Sequence, residues 1–563
     1  MARHRGPSPF DVLAGFFPKS AHDEPRQKPV DASPRPTQSA SAPHPTPAIS
    51  NYSAPKARLQ SPPSAKPSSR KPTKKKKPQQ KAPAPFSYPR VQPSRLTPTL
   101  SLKPKAPLTL KPSGPEYLTG DAARRFVLDR VDLNTLNASA VPQTEVSTET
   151  SASVSRLVSL GAAALSRDPN PDPIGYRVGL DFGTSATKVV VCSDAADVDY
   201  ALPTPLELQV DEEGRRQQHL WRTCVWFNDK TQCFQLTPCA ASRAILGFKT
   251  GLIQGDGHRM LSPSISHNAA STAFLALMIA YIVGYDSARL EQQGALPRRY
   301  SRFHVGVPVP SLQEDPRVIG FHRVTKAAFA VAPNAGALSL ADVKAALEQE
   351  VGSTDTEADS PYQLFEELAG VVAGYMMTPD KAGGAHIIVD VGAATLDVAT
   401  FYIPDGEHPL EVYESDVELL GAQALRCALT AGVPESTFKA ACQAHTHAVL
   451  SRTFRTKDYA FLPGPDGPAK RMVYVGGGRM TSLHQKTFEG YSKAYIAPMR
   501  SPGVGRWLDR DANTDQERLL LAWGLAQDAG ADAIPTIRPP SQVVPTLRRV
   551  RDWQGDYIGP EAC

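Results

Sequence analysis

Gly179-Leu180-Asp181-Phe182-Gly183-Thr184-Ser185, continued by Ala186-Thr187-Lys188, is the stretch whose reading decides the fold. The flanking runs Tyr176 to Leu180 and Thr187 to Cys192 both carry valine and read as β-strands, so the segment is a hairpin with a glycine and hydroxyl tip. A strand that ends in an acid delivers a carboxylate to the sheet edge. The Gly, Thr and Ser of the turn offer N–H and hydroxyl donors to phosphate oxygens. Taken alone, the same residues also suit a plain hairpin.

The design recurs about 210 residues later in Ile387-Ile388-Val389-Asp390-Val391-Gly392-Ala393-Ala394-Thr395-Leu396-Asp397. Again a β run ends in Asp, a small-residue turn follows, a Thr supplies a hydroxyl and a second strand leaves. Two such hairpins suggest a duplicated architecture with ATP between them and both aspartates facing magnesium, mostly through its bound water. A third segment, Val473-Tyr474-Val475-Gly476-Gly477-Gly478-Arg479, is a strand running into three glycines, which let backbone approach a flat ligand closely.

In this order the three segments resemble the first phosphate loop, second phosphate loop and adenosine loop of the DnaK-type (heat shock protein 70) chaperones and their actin relatives. Further segments agree. Thr223 to Phe227 resembles the strand after the first hairpin, and Phe303 to Pro310 the strand ending in Val-Pro. Glu366 to Tyr375 resembles the helix whose first-turn Glu reaches the metal site. Leu420-Gly421-Ala422 resembles the Leu-Gly-Gly turn, and Leu521 to Gly524 the closing Ala-Tyr-Gly helix. The match covers most of residues 176 to 530.

The resemblance implies an α/β, actin-like ATPase fold, with two duplicated ribonuclease-H-like lobes around a nucleotide cleft. It implies ATP and Mg2+ as cofactors, with Asp181 and Asp390 organising the magnesium waters. Gly183, Thr184, Ser185, Gly392, Ala393 and Thr395 would hold the phosphates, and Gly476, Gly477 and Gly478 the nucleoside. Glu367 would sit near the attacking water. Lys249 stands as the candidate for the family's catalytic lysine, or alternatively as a surface lysine.

The sequence also departs from the pattern. Only about 50 residues separate Gly421 from Tyr474, so the adenine-side lobe is expected to be reduced. Ala393 and Ala394 replace two glycines, which is acceptable only if both keep φ negative. The chain stops soon after the last helix of the match, and no peptide-binding β domain or lid is expected.

Composition divides the remainder. Of 563 residues, 53 are proline, crowded into the first third, and Ala32 to Pro115 contains no Asp or Glu. Such a segment cannot bury enough apolar surface to offset its chain entropy. The expected organisation is therefore a disordered basic tail over 1–115, a linker with short helices over 116–174, the ATPase domain over 175–530 and an extension over 531–563. The Lys and Arg cluster at residues 70–81 suits a nucleic acid, an anionic surface or a solvated spacer. The short apolar patch at Phe10 to Phe17 suits a docking motif or chance apolarity.

Seven cysteines without framework spacing fit a reducing cytoplasm. Cys442, His445 and His447 suggest a metal site, but no second ligand cluster accompanies them and a helix with scattered polar residues is expected. Ala273 to Tyr285 is apolar but falls short of the ~20 residues a membrane span needs, so a buried helix and no transmembrane segment are expected.

The functional expectation is a DnaK-like ATP-binding and ATP-hydrolysing switch that acts through an unidentified protein partner as ATP exchanges with ADP. An actin-like filament protein of the plasmid or DNA segregation type, or a nucleotide-binding scaffold without turnover, are the alternatives.

Overall fold

Val189 and Val191 enter one hydrophobic core while Val190 and Cys192 enter another, because successive strand residues take opposite faces of a sheet. Ile387, Val389 and Val391 divide from Ile388 in the same way. Both acid-bearing hairpins are thus central to their sheets and covered on both faces.

The computed structural model describes residues 118–133, 146–167, 175–193, 198–212, 215–295, 299–349, 360–404, 410–455, 470–489 and 516–527, all within one unit. The expected tail over 1–115, with its apolar patch and basic cluster, and the extension over 531–563 lie outside the described residues.

Two helices, α1 (Gly120–Leu128) and α2 (Thr148–Leu165), precede a seven-stranded sheet. There β1 (Gly175–Asp181) and β2 (Ala186–Ser193) form the first hairpin, β3 (Val198–Ala201) pairs with β2, and β4 (Gln209–Glu212) and β5 (Arg215–Arg222) extend that side. A small sheet of β6 (Cys224–Asn228), β7 (Cys233–Gln235) and β8 (Ser242–Leu246) follows, then helix α3 (Lys249–Ile253) and the short ladder of β9 (Met260–Ser262) and β10 (Ile265–Ser266). Helix α4 (His267–Gln292) starts where the Ser266 hydroxyl accepts the Ala269 N–H at 3.2 Å, an N-cap. β11 (Arg299–Val307) returns parallel to β1. Helices α5 (Arg317–Val331) and α6 (Leu340–Gln349) lead to β12 (Tyr362–Glu366), parallel to β11, and α7 (Glu367–Met377) leaves the sheet.

The second sheet holds β13 (Gly384–Val391), β14 (Leu396–Ile403) and β15 (Glu411–Glu418). After α8 (Ala422–Thr430) and α9 (Glu435–Arg455), β16 (Arg471–Val475) pairs parallel with β13, and α10 (Ser482–Glu489) and α11 (Leu520–Leu525) close the described chain. The strand series β3-β2-β1-β11 and β15-β14-β13-β16 share one order and one set of polarities, two antiparallel pairings followed by a parallel one. The fold is therefore mixed α/β with one strand arrangement used twice. Helices α7 and α11 contribute to the core that also holds Val190 of the first sheet and Ile388 and Phe401 of the second.

Several expectations need correction. The helix expected from Glu366 begins at Glu367, because Glu366 is the last residue of the strand Tyr362–Glu366, which pairs in register with Phe303–Val307; sheet pairing overrides weak local propensity. The linker helices are integral: Val127, Val154, Val158 and Ala162 enter the main core. A Cβ at Gly161 would lie 1.8 Å from the Ala280 carbonyl oxygen, so α2 lies backbone to backbone on α4. The apolar run Ala273 to Tyr285 is a buried helix as expected. Among the described residues α4 alone is long and apolar enough to cross a membrane, and 94% of its apolar window is buried inside the protein.

Candidate functional site

Both hairpins end in the same geometry. Asp181 faces Lys188 across the first, and Asp390 faces Asp397 across the second. Each pair is separated by six intervening residues, so the two turns set the same positions against one space. That space is a cleft of about 540 Å³. Asp181, Gly183, Thr184 and Ser185 line it from the first hairpin, Asp390, Gly392, Ala393 and Thr395 from the second, and Gly476, Gly477 and Gly478 from the turn after β16. Lys249 and Glu367 complete the set, so every residue that the resemblance assigned to nucleotide, magnesium or catalysis lies on this one cleft.

The first turn is anchored from behind. Phe182 is fully buried, its ring 5.8 Å from that of Phe274 and 6.2 Å from that of Phe248; burying such a side chain contributes roughly 2–3 kcal/mol. The Thr223 hydroxyl donates to the Gly183 carbonyl at 2.7 Å, and Thr223 N–H donates to the Ser185 carbonyl at 3.0 Å. Asp181 Oδ2 lies 2.5 Å from Lys188 Nζ.

The second turn is closed by Gly392 N–H donating to the Thr395 carbonyl at 2.9 Å. The turn's own carbonyls then accept the first amides of the Gly421 segment: Gly421 N–H to Ala394 at 2.9 Å, Ala422 N–H to Gly392 at 3.1 Å and Gln423 N–H to Ala393 at 2.6 Å. These bonds satisfy donors that a helix start otherwise leaves orphaned. Ala393 and Ala394 both avoid positive φ, so the alanines that replace glycine fit the turn without strain.

The glycines after β16 have a more specific role than close approach to a flat ligand. Gly476 has φ +89°, and a Cβ there would sit 2.1 Å from Asp390 Oδ1 and 2.3 Å from the Val391 carbonyl. A Cβ on Gly477 would meet the Arg518 guanidinium at 2.4 Å. The segment is thus moulded onto the second turn and onto Arg518.

Lys249 is not a surface lysine. It is 2% exposed, its Nζ donates to Glu367 Oε1 at 2.7 Å, and it lies 5.3 Å from the centre of the Phe182 ring. Burial raises the Glu367 carboxyl above the ordinary range, opposed by the Lys249 charge and reinforced by Asp181. Burial, with Glu367 and Asp181 beside it, pushes Asp390 up to about 7. Asp397 is raised well above its ordinary value by burial and by Glu367 and Asp390, and its Oδ1 has no hydrogen-bond partner.

Lys188 and Asp397 were part of the quoted motifs yet drew no role from sequence; their cross-strand positions, seven residues after the two aspartates, were the signal. Arg426, Glu517 and Arg518 also line the cleft. Nothing local in the sequence marks them, because each reaches the cleft from a distant helix. No protein-family model matches the chain, and no curated protein matches it in sequence.

Proposed function

We propose that the cleft binds ATP with Mg2+, that the chain is an actin and DnaK type ATPase built from two ribonuclease-H-like lobes, and that it acts as a nucleotide-driven switch on a protein partner. The observation that carries the reading is the repeated strand order, which puts two equivalent Asp-bearing hairpins on a single cleft shared with Glu367, Lys249 and the three glycines.

A divalent cation fits the residues present. Asp181, Glu367 and Asp390 line the cleft together with Lys188 and Lys249, Asp390 is held up to about 7, and Asp397, which interacts with Glu367 and Asp390, has a buried Oδ1 without a hydrogen-bond partner. Such carboxylates favour a hard cation with oxygen ligands. Bound magnesium would neutralise charge on the β and γ phosphates.

The chain's own residues supply the remainder. The Thr184 and Ser185 hydroxyls and the Thr395 side chain stand where phosphate oxygens would be received. Lys249, fixed by Glu367, offers positive charge to the terminal phosphate. Glu367, raised by burial, is suited to accept a proton from an attacking water, a role worth about 10²–10⁴ in rate. Backbone at Gly476–Gly478 and the Arg426 and Arg518 side chains would border the nucleoside. Opening and closing of the lobes about α7 and α11 would report nucleotide state, since a ligand shifts a conformational equilibrium by its differential affinity for the two states.

The test is hydrolysis of Mg-ATP by the full chain and by Asp390→Ala. The reading predicts turnover by the parent that the substitution removes. Equal background rates would overturn enzymatic action.

A further inference from the structure

We propose that Asp416, Glu418 and His445 form a binding site for a divalent transition-metal cation of the zinc class, separate from the nucleotide cleft. Asp416 and Glu418 stand two residues apart on β15, hence on one face of the strand. His445 lies on α9, which packs against the second sheet. One ligand atom from each side chain lies within 4.8 Å of the others. None of the three lines the cleft.

The imidazole sets this group apart from an ordinary acidic cluster. His445 has no exposed surface, and neither ring nitrogen has a partner at ordinary hydrogen-bond geometry; Asp416 and the Leu396 backbone act on the ring from further off. Its Nδ1 faces Asp416 Oδ2 at 4.0 Å. At 4.0 Å even an Nδ1–H tautomer is too far away to donate to that oxygen, whereas a cation between the two could be held by both. Leaving a buried polar group unsatisfied is costly, and native proteins rarely do so.

The neighbouring arginines do not fill that need. Arg452 Nη2 lies 3.0 Å from Asp416 Oδ2 and its Nε 2.9 Å from Glu414 Oε2, while Arg124 Nη1 lies 3.7 Å from Glu418 Oε1. Val417 N–H donates to Asp416 Oδ1 at 3.0 Å. These groups orient the carboxylates, as outer partners of metal ligands do, yet none reaches the imidazole. One nitrogen and two carboxylate oxygens suit zinc, cobalt or nickel better than magnesium or calcium, which prefer oxygen alone. Three protein ligands leave a position for water. Arg124 belongs to α1, so the site lies where that helix meets the edge strand of the second sheet.

The experiment uses the full chain, free of nucleotide, with zinc chloride as the probe. Metal content after desalting and the thermal unfolding midpoint are measured for the parent, His445→Gln, Asp416→Asn and, as a cleft control, Asp390→Asn. The proposal expects stoichiometric zinc in the parent, a zinc-dependent rise in midpoint, loss of both in the first two variants and retention of both in the control. Two site variants guard against one failing to fold. Cobalt in place of zinc should give a visible ligand-field spectrum that His445→Gln alters. Zinc absent from the parent with no thermal shift would show an ion-pair network only. Zinc lost from Asp390→Asn but kept by His445→Gln would place the metal in the cleft. Either result overturns the proposal.

Discussion

Asp390 and Asp397 sit directly opposite each other across the second hairpin, where Asp181 and Lys188 sit across the first. The first pair is neutralised internally by a 2.5 Å contact. The second pair is two acids, and burial together with their neighbouring carboxylates holds both above the ordinary carboxyl range.

A pH dependence follows. The Asp390 carboxyl is raised from 3.8 to about 7, so between these values the folded chain keeps a proton that the unfolded chain has lost. Stability from this group therefore falls as pH rises from about 4 to about 7, and the penalty is complete above that. Asp390→Asn removes it. Without metal or nucleotide the variant should exceed the parent in urea unfolding at pH 8 by up to about 4 kcal/mol, with the difference vanishing near pH 4. A gain equal at both pH values would contradict the assignment.

Lys249 and Glu367 should behave as a coupled pair. Lys249→Met leaves a buried carboxylate without its partner and is expected to cost about 3–5 kcal/mol. Adding Glu367→Gln should recover most of that loss while hydrolysis stays absent. Denaturant titration of both single variants and the double variant gives the coupling energy directly; simple additivity would mean that the 2.7 Å contact carries no weight.

Gly476 and Gly392 provide a contrast in tolerance. At Gly476 a side chain meets both positive φ and the Asp390 carboxylate, whereas a Cβ at Gly392 comes no closer than 3.4 Å to its neighbours. Gly476→Ala should lower stability by about 2–4 kcal/mol and weaken ligand binding, while Gly392→Ala should leave the fold nearly intact. Thermal melts of the two variants check this.

The contact of α2 with α4 predicts that Gly284→Leu, whose Cβ would fall 1.9 Å from the Leu157 carbonyl oxygen, frees the 148–165 helix. Limited proteolysis should then cut near residues 146–167 in the variant and spare the parent.

Much of the site was legible because its residues come from short local motifs. A strand, an acid and a small-residue turn appear together in sequence, and their counterparts take equivalent places in the strand order that the two sheets share. Lys249 was ambiguous because its burial depends on Glu367, 118 residues away. Strand β15 was missed because its acids, Glu411, Glu414, Asp416 and Glu418, mask the buried residues Val412, Tyr413 and Val417. That omission also concealed the carboxylates beside His445, for which sequence offered only Cys442 and His447. Helices α1 and α2 looked like linker because their small apolar faces gain meaning only against α9 and α4.

The most direct test of the central claim is calorimetric titration of the full chain with ATP, with and without Mg2+. The account predicts saturable binding that requires magnesium and is lost in Gly476→Ala and in Asp181→Asn. No binding of ATP by the folded parent, or binding that both substitutions leave unchanged, would contradict it.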